Sequence, residues 1–457
     1  MPITGANTLL QTSENSGRLN KGRLQYSANM LRGRKLPPFF KLTLIVLCAY
    51  ILWTFNHPGS GLRAGRYTRS ADDYVGPIFR EERSNDYVGH QSDRISNFRK
   101  VPDACSVPSR NVAFLKTHKT GSSTMSNIML RFADTHNLTV GLPLKDHWEL
   151  GGYPAYIDKR LIDPSLPKYN ILGHHFRFNI KKLRDFMHDD TRYITIIRSP
   201  VDNVESVFGF FQDQLPFIDW LEGVEANTAL RLNMFYDNPG KYYNKKTDWY
   251  FRAKNHMFFD IGYDVSNDDT AFIDSKIQEM DNTFTLVLLT DFFDESLIMM
   301  KHLLCWDWDD IIYIKFKMRT DDAKTEVNPD LAQKILNWNK ADARLYDYFN
   351  KTFWKKVDAY GKERMSDDLE VFEKKQKEAE DLCIDSYQPF KKKPWILGAK
   401  LRKKPSPFCR NLAASETVYG ERLRDKMYSS ITHLTEQQEN ERNDLFKKVA
   451  EGALQST

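Results

Sequence analysis

The chain has 457 residues, 41% of them hydrophobic and 13% aromatic, enough for one large folded core or two modest ones. Its net charge of +5 sits at the N-terminus, where the first 41 residues carry seven basic side chains against the single acid Glu14, so the remainder is close to neutral. A general nucleic-acid binder concentrates positive charge in its folded part, and that class is excluded.

Residues 1–37 read as a cytoplasmic tail. The apolar run from Leu42 to Phe55 is about 14 residues long, short of the roughly 20 that cross a bilayer. Counted from Pro38, with Lys41 reaching back to the interface, it becomes about 18, adequate for a thin membrane. The basic leader is too long for a signal peptide and no clear cleavage site follows, so 38–55 predicts a single-span anchor with the N-terminus in the cytoplasm. Residues 56–108 are polar, rich in Gly, Ser, Arg and Asp, and read as a stem. Beyond the anchor lie Cys105, Cys305, Cys383 and Cys409, which permit two disulfides in an oxidising lumen in three connectivities. Without a Cys-x-x-Cys pair, a zinc or redox motif is not expected. The sequons at Asn137 and Asn350 agree with lumenal exposure.

A folded domain is expected over 109–425. Short apolar runs at Val112–Leu115, Tyr193–Ile197, Phe284–Leu289 and Ile311–Ile314 predict strands. Helical patterns follow Gly121 and cover 201–211, 294–304 and 330–350, so strands alternate with helices and predict an α/β domain with a central, mostly parallel sheet. Residues 367–382 are almost all charged and read as a solvated helix; 426–457 read as a polar, poorly ordered tail.

The most informative segment is Lys116-Thr-His-Lys-Thr-Gly-Ser-Ser-Thr124, a strand end, a tight turn and the start of a helix. A helix N-terminus presents unpaired N–H groups and a positive dipole end to a phosphate. Lys119 can reach across the turn, and Ser122, Ser123 and Thr124 add hydroxyls. A kinase-type loop needs Gly-x4-Gly-Lys-Ser/Thr, whereas Gly121 comes after the lysine and no acidic partner for magnesium is evident. The turn therefore suits a nucleotide phosphate without metal-assisted phosphoryl transfer, and no metal is expected. Arg198 ends the strand at Tyr193–Ile197, Pro200 opens the next helix, and Ser206 lies two turns along it. An arginine and a serine so placed can clamp a second phosphate.

Together these segments resemble the galactose-3-O-sulfotransferase family. The loop at Lys116–Thr124 is similar to its 5′-phosphosulfate loop, with Lys116, Thr117, Thr120 and Gly121 in the cradle, and Arg198 with Ser206 matches the 3′-phosphate motif. The stretches at 174–179, 254–263, 293–306 and 350–354 look like the same family, so the resemblance covers roughly 111–410. It implies a P-loop-like sulfotransferase fold, a type II Golgi membrane protein with a lumenal catalytic domain, and 3′-phosphoadenosine-5′-phosphosulfate as co-substrate. The implied acceptor is the 3-hydroxyl of a galactose on a glycolipid or glycan, and a homodimer fits as well. Lys119 matches the lysine that stabilises the leaving phosphate, and Arg319 resembles the late basic loop that closes over the nucleotide. His118 is the candidate general base, because a histidine titrates near neutral pH and the adjacent helix N-terminus and Lys119 favour its neutral form. His175 binds the acceptor or shares the proton; His174 would point the other way on a strand, which argues against a shared metal. Lys116 and Arg177 are candidate charge supports, and Trp148, Tyr153 and Phe210 candidate sugar-stacking rings. The competing readings are a sulfotransferase acting on another glycan hydroxyl, a P-loop kinase and a non-catalytic membrane lectin.

Overall fold

The computed structural model describes residues 107–211, 215, 228–316, 318–391, 393–428 and 435–455. The chain divides into Met1–Tyr74 and Val75–Thr457, and everything described lies in the second unit. The expected tail, anchor and nearly all of the stem lie outside the described residues. Among the described residues no helix is long and apolar enough to cross a membrane.

Five short strands, β1 (Val112–Leu115), β2 (Val140–Gly141), β3 (Ile171–Leu172), β4 (Arg192–Ile197) and β5 (Leu286–Leu289), form one sheet in the order β2-β3-β1-β4-β5. Every neighbouring pair is parallel, with Val112 level with both Ile171 and Arg192. Such a sheet is covered on both faces, which is why its strands read as continuous apolar runs; Val112–Leu115 are all buried. The chain leaves β1 toward β3 on one side and returns to β4 on the other. The crevice at their carboxyl ends is the place where an open parallel sheet offers a ligand site.

Helix α1 (Ser122–Thr135) follows β1 and α2 (Pro200–Phe210) follows β4. The site also uses α3 (His256–Asp260), α4 (Lys340–Tyr360), α5 (Lys362–Cys383), α6 (Glu416–Tyr428) and α7 (Glu436–Gln455).

Four expectations differ from what is observed. Ile311–Ile314 is no strand: Trp308–Ile311 is a helical turn and the buried residues after it run irregularly. Their backbone is satisfied by side chains, with Arg131 donating to the carbonyls of Asp309, Asp310 and Ile312, and Gln376 bonding both polar groups of Tyr313. A buried apolar run reads alike in either case. The charged segment 367–382 is helical within α5, yet Met365, Phe372 and Ala379 form a buried strip seven residues apart, too narrow to show in the composition. A second, antiparallel sheet of β6 (Met318–Arg319), β7 (Ile384–Phe390) and β8 (Lys393–Leu401), in the order β6-β8-β7, was not legible in a lysine- and proline-bearing stretch. The polar tail contains α7, fastened by Arg442 to Asp163 (3.1 Å) and the Ile162 carbonyl (2.6 Å), and the expected boundary at 425 falls inside α6.

Cys383 and Cys409 are bridged, and Cys305 is disulfide-bonded as well. Of the two sequons, Asn137 is exposed beyond the end of α1, whereas Asn350 is buried within α4 at 3% exposure. The Asn137 sequon is therefore open to solvent in the fold and the Asn350 sequon is not.

Candidate active site

The loop between β1 and α1 curls because Lys119 (φ 62°) and Gly121 (φ 70°) both take left-handed backbone. A Cβ on Gly121 would meet nothing nearer than 3.6 Å, so the glycine answers to backbone conformation rather than to space. Thr117 donates to the Ile196 carbonyl of β4, while Thr120 (3.1 Å) and Ser122 (2.6 Å) donate to the Thr117 carbonyl. These three hydroxyls, read from the sequence as phosphate ligands, hold the loop in shape. Ser123 is half-buried and Thr124 buried at the first turn of α1, whose leading N–H groups open onto the loop.

The two loop lysines part company. Lys116 is 2% exposed and its ammonium lies 2.6 Å from a carboxylate oxygen of Glu416 on α6, so it braces the loop against the C-terminal segment. The Lys119 ammonium sits 3.6 Å from the centroid of the Phe210 ring at the end of α2. Arg198, half-buried at the end of β4, donates to the Lys119 carbonyl (3.3 Å), which places its guanidinium against the loop. Ser206 is buried on α2. Arg319 grips Glu205 of the same helix through both carboxylate oxygens, and a Cβ on Gly209 would lie 3.0 Å from its Nη1. Loop, Arg198, α2 and Arg319 are thus gathered at the ends of β1 and β4. The Arg177 guanidinium is stacked between Tyr156 (4.4 Å) and Phe259 (4.0 Å).

His118 is 7% exposed and anchored on Asp260. Its backbone N–H donates to Oδ2 (2.8 Å), and its Nδ1 lies 3.1 and 3.0 Å from the two carboxylate oxygens. A carboxylate only accepts, so Nδ1 carries the hydrogen and Nε2 is left as a proton acceptor. Tyr153 donates its hydroxyl to the same carboxylate (2.8 Å), and Asn203 donates to the His118 carbonyl (2.9 Å). Burial alone would raise the Asp260 pKa; the imidazoles of His118 and His256 and the bonds from His118 outweigh it and hold it below the usual carboxylate range. The His118 ring stacks on His175 (3.8 Å, 13°) and faces His256 (4.8 Å, 18°).

The two flanking histidines are kept neutral. Loss of hydration, reinforced by His118 and Lys116, holds the His175 pKa well below its ordinary value, and its Nδ1 bonds the Lys116 carbonyl (2.8 Å). Burial takes His256 down to about 3, and neither of its ring nitrogens has a hydrogen-bond partner. His174 is lowered to about 4, also by burial, and lies in a separate cleft with the exposed Trp148, Glu416 and Arg424. Among the described residues one group of potential metal ligands occurs, His118, His256 and Asp260, with ligand atoms within 4.8 Å of one another.

The sequence pointed to His118, Lys119, His175 and Arg198 and missed Asp260, Asn203 and Glu416. One signal for Asp260 was present: a carboxylate inside the apolar run Met257-Phe-Phe-Asp-Ile261 must be paired or neutralised when buried. Of the rings suggested for stacking, Tyr153 is buried against Asp260, Phe210 lies under Lys119, and Trp148 lines the His174 cleft.

Residues 86–423 match the model of a family described as galactose-3-O-sulfotransferase. The mouse (Mus musculus) galactosylceramide sulfotransferase is 33% identical over 335 residues, 68% of this chain and 77% of that protein. Galactose-3-O-sulfotransferase 2 of Sus scrofa is 34% identical over 304 residues, 65% of this chain and 74% of that protein. Galactose-3-O-sulfotransferase 3 of Mus musculus is 34% identical over 286 residues, 60% of this chain and 65% of that protein.

Proposed function

The chain belongs to the galactose-3-O-sulfotransferase family, and from that premise we propose that it moves a sulfuryl group from 3′-phosphoadenosine-5′-phosphosulfate to the 3-hydroxyl of a terminal β-galactoside on a glycolipid or glycoprotein glycan. The observation that carries this reading is the His118–Asp260 pair on the rim of the loop that curls between β1 and α1.

The donor supplies an activated sulfur whose leaving group is a phosphate. The chain's task is to hold that phosphate, to bring up the acceptor hydroxyl and to take its proton. The N–H groups at the head of α1, the Lys119 ammonium and the Arg198 guanidinium place positive charge where negative charge builds as the sulfur–oxygen bond to the phosphate breaks. Ser206 and Arg319 extend that grip along α2 toward the 3′-phosphate. Nε2 of His118 takes the acceptor's proton as the new sulfur–oxygen bond forms, and the imidazolium so produced is paired with Asp260. His175, neutral and stacked on His118, holds the ring in plane and presents its own Nε2 to the acceptor. Catalysis in this scheme rests on positioning and fixed charge, as expected for a loose transition state.

The same reading places residues 38–55 as a Golgi membrane anchor with the catalytic domain in the lumen. The basic tail and the buried Cys383–Cys409 bridge support an oxidising lumenal address.

The direct test is transfer of labelled sulfate to a panel of galactosylceramide, N-acetyllactosamine and mucin-type disaccharides, with the sulfated carbon located by mass spectrometry. Absence of transfer to every β-galactoside would sink the proposal. In the same assay Lys119→Ala is expected to lower kcat by about 10²-fold, the usual cost of removing one transition-state charge donor. Chelation with EDTA is expected to leave the rate within about twofold, because the scheme uses no Lewis acid; a collapse that zinc or manganese restores would instead put a cation between His118, His256 and Asp260.

A further inference from the structure

Around His118 the chain gathers groups that, Tyr153 apart, are used neither by the donor loop nor by the proton pair. Phe211, just past the end of α2, lies with its ring centroid 6.3 Å from that of His118. The Arg252 guanidinium is held 4.0 Å from the Phe211 ring and 4.1 Å from the Trp249 ring, a cation between two aromatic faces. Tyr153 bridges the two sides, 5.1 Å from His118 and 6.3 Å from Trp249. Glu149 pairs its backbone with that of His175 and acts electrostatically on both Tyr153 and Arg252. Arg252 and Tyr153 are buried, whereas Trp249, Phe211 and Glu149 are half-exposed. The result is an aromatic rim open to solvent over a buried cation, with the half-exposed Glu149 beside His175, one ring away from the proton acceptor.

A hydroxyl that gives its proton to Nε2 of His118 must come within hydrogen-bond reach of it, about 3 Å. The sugar that carries that hydroxyl then extends about one ring's width further, and Arg252 and Trp249 are separated from His118 by one ring, Phe211 or Tyr153. A β-galactose presents a patch of C–H groups on one face and hydroxyls around its edge, which calls for a flat apolar ring beside paired charged groups. Burial lowers the Arg252 pKa only to about 10, so it remains a cation and a fixed fork of donors at neutral pH.

We propose that Trp249, Arg252 and Glu149 form the acceptor-sugar subsite, with the Trp249 ring as the platform for the galactose C–H face and the Arg252 and Glu149 side chains as partners for hydroxyls flanking the one that reacts. The inference rests on the galactoside-sulfotransferase reading above and adds the residues that recognise the sugar.

Initial rates of the full-length enzyme in detergent, with galactosylceramide or N-acetyllactosamine and labelled donor, separate the two. Trp249→Ala is expected to raise the acceptor KM about tenfold or more, with Trp249→Phe restoring most of it, while the donor KM stays within about twofold. Glu149→Gln, at a half-exposed position where folding is not at stake, is expected to raise the acceptor KM about threefold to tenfold with the donor KM again unmoved. An unchanged acceptor KM in both Trp249→Ala and Glu149→Gln overturns the assignment while leaving the sulfotransferase reading intact. A rise in donor KM or weakened binding of 3′-phosphoadenosine-5′-phosphate overturns it too, and assigns the rings to the adenine. Failure of the unmodified enzyme to sulfate any β-galactoside sinks both readings together.

Discussion

Asp260→Asn is expected to lower kcat for sulfate transfer by about 10³-fold while binding of 3′-phosphoadenosine-5′-phosphate stays within about threefold of the unmodified enzyme. The reason lies in the donors the carboxylate receives. Asp260 accepts from the His118 backbone N–H, from its ring Nδ1 and from the Tyr153 hydroxyl. An amide that keeps its oxygen on the backbone N–H, at the Oδ2 position, places its NH2 at the Oδ1 position, where it faces both Nδ1 (3.1 Å) and the tyrosine hydroxyl, and donates to Nδ1. Nδ1 then has to accept, the ring hydrogen moves to Nε2, and the acceptor hydroxyl meets a donor where it needs a base. His118→Ala removes the base outright and should fall by a comparable factor, and the double variant should fall little further, because the two act as one unit. A double variant whose loss equals the product of the single losses would refute the pairing. Because donor binding is read separately by calorimetry, a folding defect cannot be mistaken for a chemical one.

Asp342 is expected to make the fold's stability depend on pH in the direction opposite to that of an ordinary surface aspartate. Its carboxylate, buried on α4, receives the N–H groups of Phe258 (2.9 Å) and Met257 (3.3 Å) at the head of α3, the helix that carries His256 and Asp260. Burial pushes its pKa up from 3.8 to about 7, the two backbone bonds offsetting only part of that shift. A folded pKa above the unfolded one means that the native state holds the proton more tightly. The resulting stabilisation is fully present below pH 3.8 and is lost as the pH rises through about 7. A shift of this size corresponds to about 4 kcal/mol. Asp342→Asn keeps an oxygen for the closer N–H and cannot ionise. Its Tm should therefore decline less than that of the unmodified chain between pH 5 and pH 8, as read by thermal unfolding across buffers. Parallel curves for the two proteins would show that Asp342 stays charged, or stays protonated, across the range. At mildly acidic pH α3, and with it the Asp260 that orients His118, is expected to be held more firmly than at alkaline pH.

Much of the fold could be read along the chain. The buried strands of a parallel sheet are continuous apolar runs, so Val112–Leu115, Tyr193–Ile197 and Phe284–Leu289 announced themselves. The turn at Lys116–Gly121 was legible because a glycine after a strand and hydroxyls ahead of a helical pattern are local signals, needing nothing from the rest of the molecule. The same local reading failed where the backbone is satisfied from a distance. Ile311–Ile314 has the composition of a strand, but Arg131 and Gln376 take the bonds a neighbouring strand would have taken. Nor does composition show that the hydroxyls of Thr117, Thr120 and Ser122 donate to main-chain carbonyls, a bonding that only the folded loop reveals.

The sequence by itself determined the α/β architecture, the phosphate-type turn with His118 and Lys119 upon it, and Arg198 at the end of a strand, because each follows from burial periodicity or turn chemistry within a few residues. Tertiary structure decided that His118 meets Asp260 142 positions away, that His175 and His256 enclose its ring, and that Lys116 is held by Glu416 300 positions on. Those pairings arise only once the helices have packed against the sheet. The desolvation that gives a buried carboxylate authority over an imidazole is a property of the closed core and of no single stretch of chain.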